Sequence, residues 1–171
     1  ARRYLSGCSS STRGVFWCGN QPGASSVIDY ITIASTGNAT DFGDPAVTPG
    51  VDSIGVGLSN NIRGVFGGRA SPDRATVEKI TIASQGNAID YADMSVSRGY
   101  MAGLSNSVKG IFAGGGTPSN SNVIDEFRIA TGGAFTDFGD AQAAKSGVMG
   151  NTAAHGGLNE GYQGTRPTHA P

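Results

Sequence analysis

Apolar and polar residues alternate along residues 27–34. Asp29, Ile31 and Ile33 project one way, and Ile28, Tyr30 and Thr32 the other. A period of two belongs to a β-strand with two unlike faces. The same wording returns twice: Ile31-Thr32-Ile33-Ala34-Ser35 reappears as Ile80-Thr81-Ile82-Ala83-Ser84 and as Phe127-Arg128-Ile129-Ala130-Thr131. Upstream of it, Arg13-Gly14-Val15-Phe16 returns as Arg63-Gly64-Val65-Phe66 and Lys109-Gly110-Ile111-Phe112. Downstream, Asp41-Phe42-Gly43-Asp44 returns as Asp90-Tyr91-Ala92-Asp93 and Asp137-Phe138-Gly139-Asp140. The leading aspartates are 90 − 41 = 49 and 137 − 90 = 47 residues apart. Three motifs that keep one order and nearly one spacing define an internal repeat.

A fourth element opens each copy. Arg98-Gly99-Tyr100-Met101-Ala102-Gly103-Leu104-Ser105 aligns with Arg2-Arg3-Tyr4-Leu5-Ser6-Gly7-Cys8-Ser9, and a weaker version runs Lys145-Ser146-Gly147-Val148-Met149-Gly150. The second copy is stretched by three residues around Pro45–Ser53: Asp44 to Arg63 spans 63 − 44 = 19 positions, and Asp93 to Lys109 only 109 − 93 = 16. Each copy therefore predicts four short strands, in the first copy at about 3–8, 14–18, 27–34 and 39–43. The fold class expected is all-β, with repeats at about 1–44, 45–93 and 94–140 and a partial one at 141–158. Residues 1–158 then form one β-repeat domain, followed by an extended tail at 159–171. A stacked repeat buries the same positions each time. The expected core is Val15, Phe16, Ile31, Ile33, Val65, Phe66, Ile80, Ile82, Ile111, Phe112, Phe127 and Ile129, with Phe42, Tyr91 and Phe138 at equivalent sites.

Composition reinforces this picture. The chain carries 28 glycines in 171 residues. Interior glycine costs a helix about 1 kcal/mol against alanine but suits turns that need positive φ. Charged residues make up only 15 %, and the net charge is −1, so no basic footprint points to nucleic acid or an anionic membrane. No apolar run approaches the roughly 18 residues a membrane helix needs. The first residues, Ala1-Arg2-Arg3-Tyr4-Leu5, lack the apolar stretch of a signal peptide and read as the continuation of an earlier repeat.

The run Gly64-Val65-Phe66-Gly67-Gly68, then Val77-Glu78-Lys79-Ile80-Thr81-Ile82, an aromatic after a Gly-Asn turn, and Arg98 resemble the kelch repeat. The resemblance covers about residues 1–155 and implies propeller blades of four antiparallel strands. It departs where kelch favours Trp, since Phe42, Tyr91 and Phe138 stand there. The glycine doublet is replaced by Trp17-Cys18 in the first copy and reads as shifted to Gly114-Gly115 in the third. The wording of 28–44 and the ending Ala154-His155-Gly156-Gly157-Leu158 look closer still to repeats in structural proteins of tailed, especially marine, bacteriophages. That likeness implies a virion, tail or fibre component and an extracellular or virion location.

Candidate chemistry is sparse. Asp41 with Asp44, Asp90 with Asp93, and Asp137 with Asp140 form oxygen-rich turns that could contribute to a Ca²⁺ site, although two carboxylates per copy fall short of six ligands. The plainer reading is that they accept backbone N–H bonds in Asx turns. A second periodic acid, at Asp29, Glu78 and Asp125, sits in the row of strand isoleucines and needs a partner. The candidates are backbone amides or the bases Arg13, Arg63, Lys109 and Arg98. If 9–12 make the first hairpin turn, Cys8 faces about Arg13 or Gly14 rather than Cys18, so two separate thiols are expected. Asn38-Ala39-Thr40 is a glycosylation sequon found in one copy only. The two histidines, His155 and His169, lie outside the complete copies, and no nucleophile elbow, Walker loop or zinc-type cluster is present.

These observations argue against an enzyme and call for no cofactor. The expected role is structural, with other copies of the chain or other virion proteins as partners. The alternative is a carbohydrate- or receptor-binding propeller that engages a host surface glycan through exposed aromatics. Propellers close with about four to eight blades, so three copies predict that the functional object contains more repeats than this chain.

Overall fold

A computed structural model of the chain describes residues 2–21, 23–47, 55–69, 74–116 and 118–150. Among the described residues there is no helix. The first sheet takes β1 (Ser6–Ser9), β2 (Arg13–Trp17), β5 (Ile28–Thr32) and β6 (Thr40–Gly43), with a small hairpin, β3 (Asn20–Gln21) and β4 (Gly23–Ala24), between β2 and β5. The second takes β7 (Val56–Ser59), β8 (Arg63–Arg69), β9 (Arg74–Thr81) and β10 (Ile89–Asp93). The third takes β11 (Ala102–Ser105), β12 (Lys109–Ala113), β13 (Val123–Arg128) and β14 (Thr136–Asp140). Each is a four-stranded antiparallel sheet whose strands pair in chain order. In the first copy β2 keeps its expected length but starts one residue earlier, and β1, β5 and β6 are one to three residues shorter than the alternation suggests.

The turns repeat as faithfully as the strands. Between the first two strands of each sheet, one short polar side chain caps the hairpin. Asn60 Oδ1 accepts from the N–H groups of Ile62 and Arg63 at 3.0 and 2.8 Å, and Asn106 Oδ1 from Val108 and Lys109 at 2.8 and 2.6 Å. Ser10 Oγ does the same work for Thr12 and Arg13 at 3.3 and 3.2 Å. A side chain that copies a backbone turn fixes the hairpin register locally. That register sets Cys8 opposite Val15, one residue beyond the position that a turn at 9–12 implies, since Ser9 still pairs with Gly14. Neither cysteine is in a disulfide.

The sheets stack face to face around two cores. Between the first and second sheets lie Val15, Trp17, Ile28 and Phe42 against Phe66, Ile80, Ile82 and Ala88. Between the second and third lie Leu58, Val65 and Val77 against Met101, Phe112, Phe127 and Ile129. The two joints are filled differently at one equivalent place. Trp17 stacks on Phe66, ring centroids 5.2 Å apart, while Gly67 leaves room for Phe112, whose ring would lie 2.7 Å from any added Cβ.

At one edge the first strands touch backbone to backbone. β7 runs between β1 and β11. A Cβ on Gly57 would lie 2.5 Å from the Gly7 carbonyl oxygen, and one on Gly103 would lie 3.2 Å from that of Gly57. Gly150 continues the column over the Gly103 carbonyl. The weak fourth motif is therefore in register with the other three. Its backbone agrees: Gly147 has φ 68°, against 59° at Tyr4 and 56° at Tyr100. This left-handed turn is adopted by two tyrosines at a place where only glycine escapes strain.

Nine of the fifteen expected core positions obey the repeat and six do not. Val15, Val65, Phe66, Ile80, Ile82, Phe112, Phe127, Ile129 and Phe42 are buried. Phe16, Ile33 and Phe138 are instead 38, 53 and 56 % exposed, and Ile31, Ile111 and Tyr91 are half-buried. Tyr91 is partly covered by the third sheet, while the other five lie on the two end faces of the stack. In the first sheet the Ile28–Tyr30 face meets the second sheet, leaving Phe16, Ile31 and Ile33 on the uncovered side. Burial depends on a neighbour, and an end sheet has one neighbour instead of two.

Candidate functional site

The repeated acid of the third strand is held in every copy, by different means. In the third sheet Arg98 donates to Asp125 at 2.9 Å with both side chains buried, and Ser95 Oγ donates to the same carboxylate at 2.7 Å. In the first sheet Arg2 donates to Asp29 in the equivalent way, on a face that is partly open. In the second sheet the buried Glu78 accepts from the backbone N–H groups of Ala46 and Val47 at 3.2 and 3.1 Å. A buried carboxylate without such partners costs several kcal/mol, so these acids anchor the segment that enters each sheet.

Directly across the strand pair lies one member of each turn doublet. Asp41 pairs with Asp29, Asp90 with Glu78, and Asp137 with Asp125. All six turn aspartates, including Asp44, Asp93 and Asp140, are exposed. Asp137 Oδ1 accepts from the Gly139 N–H at 2.8 Å, the Asx arrangement. Among the described residues no three His, Cys, Asp or Glu side chains converge as metal ligands would. His155 and His169 lie outside the described residues.

The sequence pattern missed a β-bulge beside each acid. Register jumps from Asp29–Asp41 to Ile28–Gly43, from Glu78–Asp90 to Val77–Ala92, and from Asp125–Asp137 to Ile124–Gly139. Phe42, Tyr91 and Phe138 are the extra residues. A bulge re-aims a side chain. Phe42 thus enters the first core, and Tyr91 sends its hydroxyl to the Ile129 carbonyl of the next sheet at 2.6 Å.

The periodic bases Arg13, Arg63 and Lys109 do not neutralise the acids of the third strand. Arg13 crosses the first joint and donates to the Ile82 carbonyl at 2.9 Å. Arg63 crosses the second to the carbonyls of Ile129, at 3.0 Å, and Ala130. Lys109, in the last sheet of the described residues, turns back to Glu126 at 2.6 Å. Hydroxyls cross in the opposite direction: Ser59 Oγ donates to the Ser9 carbonyl and Ser105 Oγ to that of Ser59, both at 2.8 Å.

The glycine doublet of the third copy, Gly114-Gly115, lies one position later than Gly67-Gly68: Trp17, Gly67 and Ala113 occupy one register position, and Cys18, Gly68 and Gly114 the next. Those three have φ of 49, 68 and 64°, so the second position is the one that requires a left-handed backbone. Trp17 belongs to this periodic set, and at 1 % exposure it is unavailable to a glycan. The Cys8 sulfur lies against Gly64 across the first joint, and burial pushes its thiol up to about 12.

The geometry thus spends the third-strand acids, Arg13, Arg63 and the serine hydroxyls on joints within and between sheets, while the turn aspartates stay exposed and each end face leaves apolar side chains uncovered. No protein-family model matches the chain, and no curated protein matches it.

Proposed function

We propose that the chain is a non-catalytic structural module, an arc of kelch-like propeller blades that works as part of a larger extracellular assembly of the virion, tail or fibre kind. The observation that carries this reading is the repeated joint. Arg13 and Arg63, and the hydroxyls of Ser59 and Ser105, make the same connections from one sheet to the next, and the third-strand acid is held in each copy. A group that recurs in every copy and is fully engaged there is holding the repeat together rather than waiting for a substrate. The phage-like wording of residues 28–44 supports the particle as its setting.

The glycan-binding alternative relied on exposed aromatics. Those on the described surface, Tyr4, Phe16 and Phe138, are distributed over the entry segment and the two end faces rather than gathered in one concave site. The test is to purify assembled particles from the source by density gradient and search their peptides by mass spectrometry. Recovery of this chain in constant ratio to other particle proteins is the expected result. Recovery only in the soluble fraction would overturn the assignment.

A further inference from the structure

We infer that two copies of this chain join head to tail, the outer face of the third sheet of one copy docking on the outer face of the first sheet of the next. This rests on the structural reading above and specifies the partner and the surface. The argument is continuity. The two joints inside the chain are built by one plan, and each end face carries the unmatched half of it. On the first face, Phe16 and Ile33 stand 38 and 53 % exposed, where their equivalents Phe66 and Ile82 are buried at 1 and 0 %. On the last face, Phe138 is 56 % exposed, where its equivalent Phe42 is 2 %.

The polar halves match as well. Arg13 and Arg63 reach the carbonyls of Ile82 and Ile129, and the next places in that series are Lys109 as donor and the Ile33 carbonyl as acceptor. Lys109 Nζ now rests on Glu126 with its side chain 43 % exposed, free to swing outward. Ser9 Oγ of the next copy is the counterpart of the hydroxyls of Ser59 and Ser105. Docking also covers the Arg2–Asp29 pair as Arg98–Asp125 is covered.

One place is contested. Residues 145–150 already lie where the entry segment of the next copy, residues 2–7, belongs, with Gly150 over Gly103. The Gly147 N–H donates to the Tyr100 carbonyl at 3.0 Å, and the Gly115 N–H to that of Lys145 at 2.8 Å. Docking therefore displaces this segment, which acts as a plug on the last face.

The test uses the full chain and light scattering over a range of concentration. Wild type should exceed 17.3 kDa as concentration rises. Ile33→Arg blocks the first face and Phe138→Arg the last, and both sites are exposed enough to accept the change without unfolding. Each variant alone should stay monomeric, while a mixture of the two should double in mass and stop there, because each still offers one sound face. Ile62→Arg, on an exposed hairpin turn, should associate like wild type. Gly150→Val, which forces the plug off the Gly103 carbonyl, should raise the associated fraction. A strictly monomeric wild type, association that survives both face variants, or a mixture that stays monomeric would overturn head-to-tail docking. Weaker association of Gly150→Val would overturn the displacement of the plug. A monomer recovered from particles would sink the docking and leave the structural role, whereas a docking chain absent from particles would do the reverse.

Discussion

Arg98 and Asp125 form a sealed ion pair, Nη2 to Oδ2 at 2.9 Å with side chains 1 and 0 % exposed, and Arg2 and Asp29 repeat the same pair at 14 and 24 %. Sequence position and partner are equivalent. They differ in cover: the second sheet lies over the Arg98–Asp125 pair, while among the described residues no sheet lies over Arg2 and Asp29.

That difference predicts unequal costs. Removing one member of a fully buried pair leaves an uncompensated charge and costs about 3–5 kcal/mol, and the cost falls as solvent reaches the remaining charge. Arg98→Met should therefore lower the urea midpoint more than Arg2→Met does. Equal shifts for the two variants would show that burial does not set their worth.

Trp17, the one tryptophan, reports on the first joint. Stacked on Phe66 at 1 % exposure, it should emit at short wavelength in the native protein and shift to the red in a single step with unfolding. Trp17→Ala should cost about 3–5 kcal/mol, the range for emptying a large aromatic site. A native emission like that of free tryptophan would refute the joint.

The glycine column makes a sharper contrast. An added Cβ at Gly57 would lie 2.5 Å from the Gly7 carbonyl oxygen and 3.0 Å from the Phe66 ring, while at Gly37 nothing lies within 4 Å. Gly57→Ala should cost about 1–3 kcal/mol through overpacking. Gly37→Ala should stay within about 0.5 kcal/mol of wild type. Thermal unfolding of the two variants decides the matter.

The thiols should be inert until the chain unfolds. With the Cys8 thiol pushed up to about 12, roughly one molecule in ten thousand carries the reactive thiolate at pH 8. Cys18 is fully buried. Iodoacetamide at pH 8 should label neither residue natively and both in denaturant, as read by intact mass. Rapid native labelling of Cys8 would contradict its place against Gly64.

Much of the fold was legible in the residues because the repeat states each element three times. The four strands, their order and the need of Asp29, Glu78 and Asp125 for partners all follow from alternation and the cost of burying charge. The identity of the partners was harder to read. The place matching Arg98 in the second copy is Asp52, and there the backbone N–H groups of Ala46 and Val47 donate to Glu78. The bulges at Phe42, Tyr91 and Phe138 left no trace in the alternation, since one extra residue resembles a strand end. Phe16 and Ile33 were misassigned because a pattern of two faces does not say how many neighbours a sheet has.

The unequal filling of the two joints has a consequence for how the chain finds its order. Identical tandem units are prone to pair with the wrong sibling while folding. Here Trp17 needs the surface around Phe66, and the ring of Phe112 needs the hollow left by Gly67. Bringing the first and third sheets together would press an indole onto a ring already seated for a glycine. Each joint is thus keyed to its own partner, so near-copies of one sequence can still be sorted into a single sequence of neighbours.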